Sequence, residues 1–142
     1  MNGKYKEIDH TADIAFEVSG ASLEELFIAS AEAWRSTIIG EKEISKKESK
    51  KIELKTSSSE LLLVEFLSEL NFFTFTQKWV FDEVGNIKIS FENEEWNLLS
   101  TIEGTPLLPG TKIKQEIKAI TFHQMEIKNI GNNFSTLLVF DI

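Results

Sequence analysis

An α+β fold, two helices packed with a mostly antiparallel sheet, is predicted by three features of this 142-residue sequence. Two capped segments of helical period sit in its first half. Strand-period alternation surrounds them, and five strand candidates then follow in unbroken succession. The predicted order is β-α-β-α-β-β-β-β-β. A doubly wound nucleotide fold would alternate strands and helices throughout and carry a Gly-rich phosphate loop, and neither pattern occurs.

The first strand region runs from Tyr5 to Val18 and is split in its middle. Ile14, Phe16 and Val18 alternate with Ala15 and Glu17, the pattern of a half-buried strand, and Gly20 ends the run. Ser22-Leu23-Glu24-Glu25 forms a capping box, and Leu23, Leu26, Phe27, Ser30, Trp34 and Ile38 recur at helical spacing. A helix over 23–38 is therefore expected, stopped at Gly40. Residues 41–51 are lysine-rich and of mixed charge, which reads as a solvated sheet edge leading into a short strand through Ile52 and Leu54.

Ser57-Ser58-Ser59-Glu60 is a second capping signal. Behind it, Leu61, Leu62, Leu63, Val64, Phe66, Leu67, Leu70 and Phe73 cover well over half a helical circumference. That breadth predicts a helix over 58–76 lying at the centre of the core. Trp79–Val84 and Ile87–Phe91 flank Gly85-Asn86, which reads as a hairpin with a two-residue turn. Trp96–Gly104 alternates, and Thr105–Lys112, with Pro106 and Pro109, is a loop. Gln115–Lys128 is the longest alternating run, and Gly131-Asn132-Asn133 turns it into a last strand, Phe134–Asp141.

Composition narrows the function. Hydrophobic residues make up 42% and charged residues 27%, ordinary for a soluble globular protein. The length fits one domain over 1–142, and a chain of this size buries roughly 68–70% of its unfolded surface. No apolar run approaches the roughly 18 residues of a membrane span, and Met1–Glu7 lacks the apolar core of a secretory signal, so a cytoplasmic protein is expected. With no cysteine and only His10 and His123, thiol chemistry, Cys-ligated zinc and a three-histidine zinc site are excluded. Fifteen basic residues against 23 acidic ones leave a net charge of −8, and Arg35 is the single arginine. Such a surface repels phosphate backbones, so any link to RNA is expected to be indirect, through a protein partner or a bound cation.

Three places hold candidate chemistry. Asp9-His10-Thr11-Ala12-Asp13 interrupts a strand with poor strand formers. These side chains either shape a turn or bulge, or offer hard oxygens to a divalent cation such as Ca²⁺, Mn²⁺ or Mg²⁺. Asp141 and Ile142 follow the apolar strand Leu137–Phe140. They read either as a solubilising strand end or as a carboxylate, a carbonyl and an α-carboxylate suited to a hard cation. Third, Glu116–His123 is a strand carrying Lys118 and His123. Lys118 reads as strand surface, while His123 shares a period with Met125 and Ile127 and reads as a histidine at the edge of the core. A small metal-dependent phosphoesterase using Asp13 and His10 is one functional class; an adaptor or chaperone for RNA-modifying enzymes is another.

The strings Asp9-His10-Thr11-Ala12-Asp13-Ile14, Gly20-x-Ser22-Leu23-Glu24-Glu25-Leu26-Phe27, Glu116–His123 and Val139-Phe140-Asp141-Ile142, in this order, resemble the archease family of tRNA-splicing-ligase activators. The resemblance covers essentially the whole chain. It implies a small α+β fold in which the N-terminal DHTAD segment meets the end of the last strand. It further implies a divalent cation, taken as calcium, held by Asp13, Asp141 and Ile142, and a functional part for Lys118, with Asp9, His10 and His123 as weaker candidates. The partner so implied is an RtcB-type RNA ligase, whose guanylylation and repeated turnover the family promotes without ligase chemistry of its own. One departure is that helix two ends Asn71-Phe72-Phe73-Thr74-Phe75-Thr76-Gln77, where an acidic residue is expected.

Overall fold

The computed structural model describes residues 3–8, 13–39 and 47–142. The elements are β1 (Lys4–Ile8), β2 (Asp13–Gly20), α1 (Leu23–Ile38), β3 (Glu48–Thr56), α2 (Ser59–Phe75), β4 (Trp79–Glu92), β5 (Glu95–Pro106), β6 (Ala119–Ile120), β7 (Lys128–Ile130) and β8 (Asn133–Asp141). This is the expected α+β class, divided into two sheets. One runs β1-β2-β8-β6 with β7 also on β8; the other runs β3-β5-β4. Every described pairing is antiparallel. The split first strand is two strands, so two precede α1 where one was predicted.

Both helices begin where their serines direct. The Ser22 hydroxyl accepts from the Glu25 N–H at 3.1 Å, and the Ser58 hydroxyl accepts from the Leu61 N–H at 3.1 Å. At the other end of α1 the Ile39 N–H donates to the Arg35 carbonyl at 3.0 Å; Gly40, the predicted stop, lies outside the described residues. A Cβ on Gly20 would come within 2.6 Å of the Leu26 backbone nitrogen, so only glycine lets the end of β2 pass this close to α1.

The second helix is a core element as expected, touching β3, β4, β5, β6 and α1, but it shares that place with the first. Ten residues of α1 are buried, including Ala29, Ser30, Ala31 and Ala33, whereas α2 buries six in one stripe and leaves Phe72 46% exposed. Small side chains let α1 be approached from several directions, and it touches β1, β2, β8, β4 and α2. A count of large apolar residues favours α2, whose Phe72 and Phe73 form the rim of the core. That core joins both helices and both sheets through Phe16, Phe27, Trp34, Phe66, Phe81 and Phe140.

Two further expectations are corrected. There is no hairpin at Gly85-Asn86: β4 runs straight through, paired with β5, with register shifts between Phe81 and Glu83 and between Val84 and Asn86. Gly85 is the extra residue of a bulge, and Asn86 bonds across it, its Oδ1 accepting from the Thr101 N–H at 3.2 Å. The turn is Asn93-Glu94, both residues at positive φ (52° and 62°) as a two-residue hairpin turn requires. Likewise Gln115–Lys128 is not one strand. Only Ala119–Ile120 and Lys128–Ile130 pair, and the chain between them turns through Gln124 (φ 59°), where the Met125 N–H bonds the Phe122 carbonyl at 3.0 Å. Of the lysine-rich segment expected at a sheet edge, residues 41–46 lie outside the described residues; in the rest, β3 flanks its sheet and residues 47–49 are exposed. Among the described residues no helix is long and apolar enough to cross a membrane.

Candidate functional site at the β2–β8 corner

The corner is fixed by alternation. Phe16 and Val18 of β2 and Leu138 and Phe140 of β8 are buried, and Ile14 packs against the same core. Because side chains alternate, this choice turns Asp13 and Asp141 to the opposite face, and a one-residue slip would bury both carboxylates. The register then sets Asp13 directly opposite Asp141, one step beyond the apolar pair Ile14 and Phe140.

Directly opposed side chains in an antiparallel pair have Cβ atoms about 4.5–5.5 Å apart, and like charges there repel. The β2–β8 ladder thus starts with a pair of carboxylates held together by the hydrophobic packing behind them. Ile142 follows immediately and is 36% exposed.

The third sequence-predicted segment closes the other side of β8. Ala119 lies opposite Asp141 and Ile120 opposite Phe140, so β8 is flanked by both segments at its last two residues. The Lys118 N–H donates to the Asp141 carbonyl at 2.8 Å, and the Thr121 N–H donates to the Val139 carbonyl at 2.9 Å. Lys118 is exposed, next to the buried Ile117. Asp13, Asp141, Ile142 and Lys118 therefore come from distant parts of the sequence to one place.

His123 does not join them as a core-edge residue. It is exposed in the turn after β6, because the chain leaves β8 there instead of continuing as a strand. Asp9 and His10 lie outside the described residues. Among the described residues no group of three or more His, Asp or Glu side chains is placed to hold a metal ion. Among the described residues the corner supplies two such side chains, with the backbone of Ile142 beside them.

One contributor is invisible in the sequence. Asn71 of α2 accepts from the Trp34 indole N–H at 3.0 Å and donates from its amide nitrogen to the Ile117 carbonyl at 2.9 Å. Asn71 opens the helix end Asn71–Gln77, within which the resemblance leads one to expect an acidic residue, and its amide does what a carboxylate cannot: it donates and accepts at once. It pins Ile117, and through the next peptide it orders the Lys118 N–H that bonds Asp141. One polar residue among several in α2, Asn71 carries no signal in the sequence that names a partner.

The chain matches the model of the Archease protein family over residues 5–142. It is 36% identical over 140 residues to Protein archease of Methanosarcina barkeri, covering 98% of this chain and 96% of that one. It is 33% identical over 130 residues to the archease of Thermococcus kodakarensis, covering 89% of each. Among solved structures, protein 1598 of Methanobacterium thermoautotrophicum superposes with a TM-score of 0.84 at 28% identity, over 97% of this chain and 98% of that one. A crystal structure from Thermotoga maritima, described as an archease and possible chaperone, gives 0.63 at 26% identity over 96% of each chain. Whole-length agreement in sequence and in fold leads to one conclusion: the chain belongs to the archease family.

Proposed function

We propose that this protein is a non-enzymatic activator of an RtcB-type RNA ligase in tRNA splicing, acting in the cytoplasm to promote guanylylation of the ligase and its repeated turnover. In this reading Asp13, Asp141 and the terminal carboxylate of Ile142 hold a divalent cation, Ca²⁺ by preference, with Mn²⁺ or Mg²⁺ as alternatives. The observation that carries it is the register pairing Asp13 with Asp141. Two opposed carboxylates at a strand end bring hard anionic oxygens together, an arrangement suited to a hard cation whose remaining ligand positions are taken by water.

The acidic balance of the chain supports the same reading. A surface of net charge −8 grips RNA poorly, whereas a cation-bearing acidic corner suits docking at a phosphate-handling protein site. Lys118, exposed beside the corner, is placed to meet a phosphate or a carboxylate of the partner. His123, Asp9 and His10 have a lesser part in this proposal.

The test is a ligation assay with limiting ligase, with and without this protein, with the divalent metal varied. The protein is expected to raise the number of turnovers, and Asp141→Asn is expected to lose that effect while remaining folded. Equal turnover numbers with and without the protein would overturn the reading. The Thermotoga relative's description as a possible chaperone favours a second reading, an adaptor for other RNA-modifying enzymes. Partner capture that persists in chelator and in Asp141→Asn would favour that reading over the first.

A further inference from the structure

A trough of about 820 Å³ lies on the face of the five-stranded sheet that points away from the helices. Its floor is β2 and β8, with β1 on one side and residues 124–128 on the other. The register orders its side chains into rows. Lys4 is opposite Ser19, Ser19 opposite Ser135, and Ser135 opposite Lys128. Opposed residues share a face, so two lysines flank two serine hydroxyls along one line across four strands. Three strand spacings put the two lysine backbones about 14 Å apart, close enough for both ammonium groups to lean inward over the hydroxyls.

Charge is sorted by row. One step toward the corner, Lys6 is directly opposite Glu17, so that row neutralises itself. The Lys4–Lys128 row contains no carboxylate. None of its four side chains has a side-chain or ion-pair partner among the described residues, and both serines are partly accessible. The trough as a whole carries Lys4, Lys6 and Lys128 against Glu17 and Glu126, and within it this row offers eight donor hydrogens and no acceptor charge. Edge lysines alone serve to block strand addition. That role accounts for Lys4 on β1 and for Lys128 on β7, each a strand with a single described partner, but not for the two hydroxyls between them or for the absence of a carboxylate from the row.

We propose that Lys4, Ser19, Ser135 and Lys128 form a binding site for a phosphoryl anion. Ammonium groups supply charge from both sides and the hydroxyls donate from below, a donor set matched to the several oxygens of a phosphate. The site is separate from the Asp13–Asp141 corner and does not depend on any role in RNA ligation. Its ligand is a free phosphate or the phosphate of a nucleic acid strand, two sources of the same chemistry.

The experiment is amide NMR on the full chain, titrated in one arm with inorganic phosphate and in the other with a short single-stranded RNA, both at constant ionic strength set with chloride. Saturable shifts at Ser19 and Ser135 are expected, weakened on the order of tenfold in the Lys4→Gln/Lys128→Gln double variant. Ser135→Ala, which leaves the charges in place, is expected to weaken binding several-fold. Shifts with phosphate alone identify a free anion, and tighter binding of RNA identifies a strand. The proposal is overturned if neither probe shifts these residues, if chloride reproduces the shifts, or if the double variant binds as the parent does.

Discussion

Asp13, the first residue of β2, stands directly opposite Asp141, the last residue of β8. More than a hundred residues separate them in the chain, and the apolar alternation of Ile14, Phe16 and Val18 against Leu138 and Phe140 is what brings them face to face. The pair sets two like charges side by side, so the proposed ion makes a prediction about the sign of their effect on stability.

The first prediction concerns that sign. In metal-free protein, Asp13→Asn removes a like-charge repulsion and leaves stability unchanged or higher by a few tenths to 1 kcal/mol. With calcium at about 100 times its dissociation constant the parent gains about 2.7 kcal/mol and the variant gains far less. Thermal unfolding with calcium and with chelator reads both effects, and equal calcium shifts in the two proteins would contradict it.

Asn71 gives a prediction in which two substitutions separate its two bonds. Asn71→Asp keeps an acceptor for the Trp34 indole but loses the donor to the Ile117 carbonyl. Asn71→Leu loses both. Each leaves a buried polar group short of a partner, at a cost of about 1–3 kcal/mol in urea unfolding. Faster hydrogen exchange at the Lys118 amide is expected in both, since that N–H bonds Asp141 through the segment Asn71 holds. Unchanged exchange at Lys118 would show that the two ends of this chain of contacts are not linked.

The β4–β5 turn offers a gain. Glu94 sits at φ 62°, a region costly to residues with a Cβ. Glu94→Gly is expected to stabilise by several tenths to about 1 kcal/mol, because release of strain exceeds the added freedom of the unfolded chain. Glycine at Phe91, in the adjoining strand, should destabilise instead, through loss of its contact with the Trp96 ring at 5.1 Å. Urea midpoints of the two variants moving in the same direction would contradict this account of the turn.

A cap change calibrates the helical side of the fold. Ser58→Ala is expected to cost about 1 kcal/mol, since the Leu61 N–H loses its acceptor at the start of α2. Phe66→Ala, at a fully buried site, is expected to cost about 3–5 kcal/mol. A cap substitution as damaging as the core one in chemical denaturation would mean that α2 is held by its end and not by its packed stripe.

These contrasts mark what was legible in the chain. Helix starts are local chemistry, and Ser22 and Ser58 announce them within a residue. Gly85-Asn86 carries turn-forming residues, but the same residues build a bulge, and only cross-strand pairing with β5 decides between the two. Alternation over Gln115–Lys128 would put Ile117 and Ile120 on opposite faces of one strand, yet both are buried, because alternation does not supply a neighbouring strand and the chain finds one only at Ala119–Ile120 and Lys128–Ile130. The meeting of Asp13 with Asp141 was available only through family resemblance, because register between termini is a tertiary property. Asn71 was not legible at all, since its role depends on Trp34 and Ile117 arriving from elsewhere.

The measurement that tests the central claim most directly is calorimetric titration of Ca²⁺ into the metal-stripped protein and into Asp141→Asn. The account predicts one saturable site in the parent and none of comparable affinity in the variant. Absence of a binding isotherm in the parent, or an unchanged one in the variant, would contradict it.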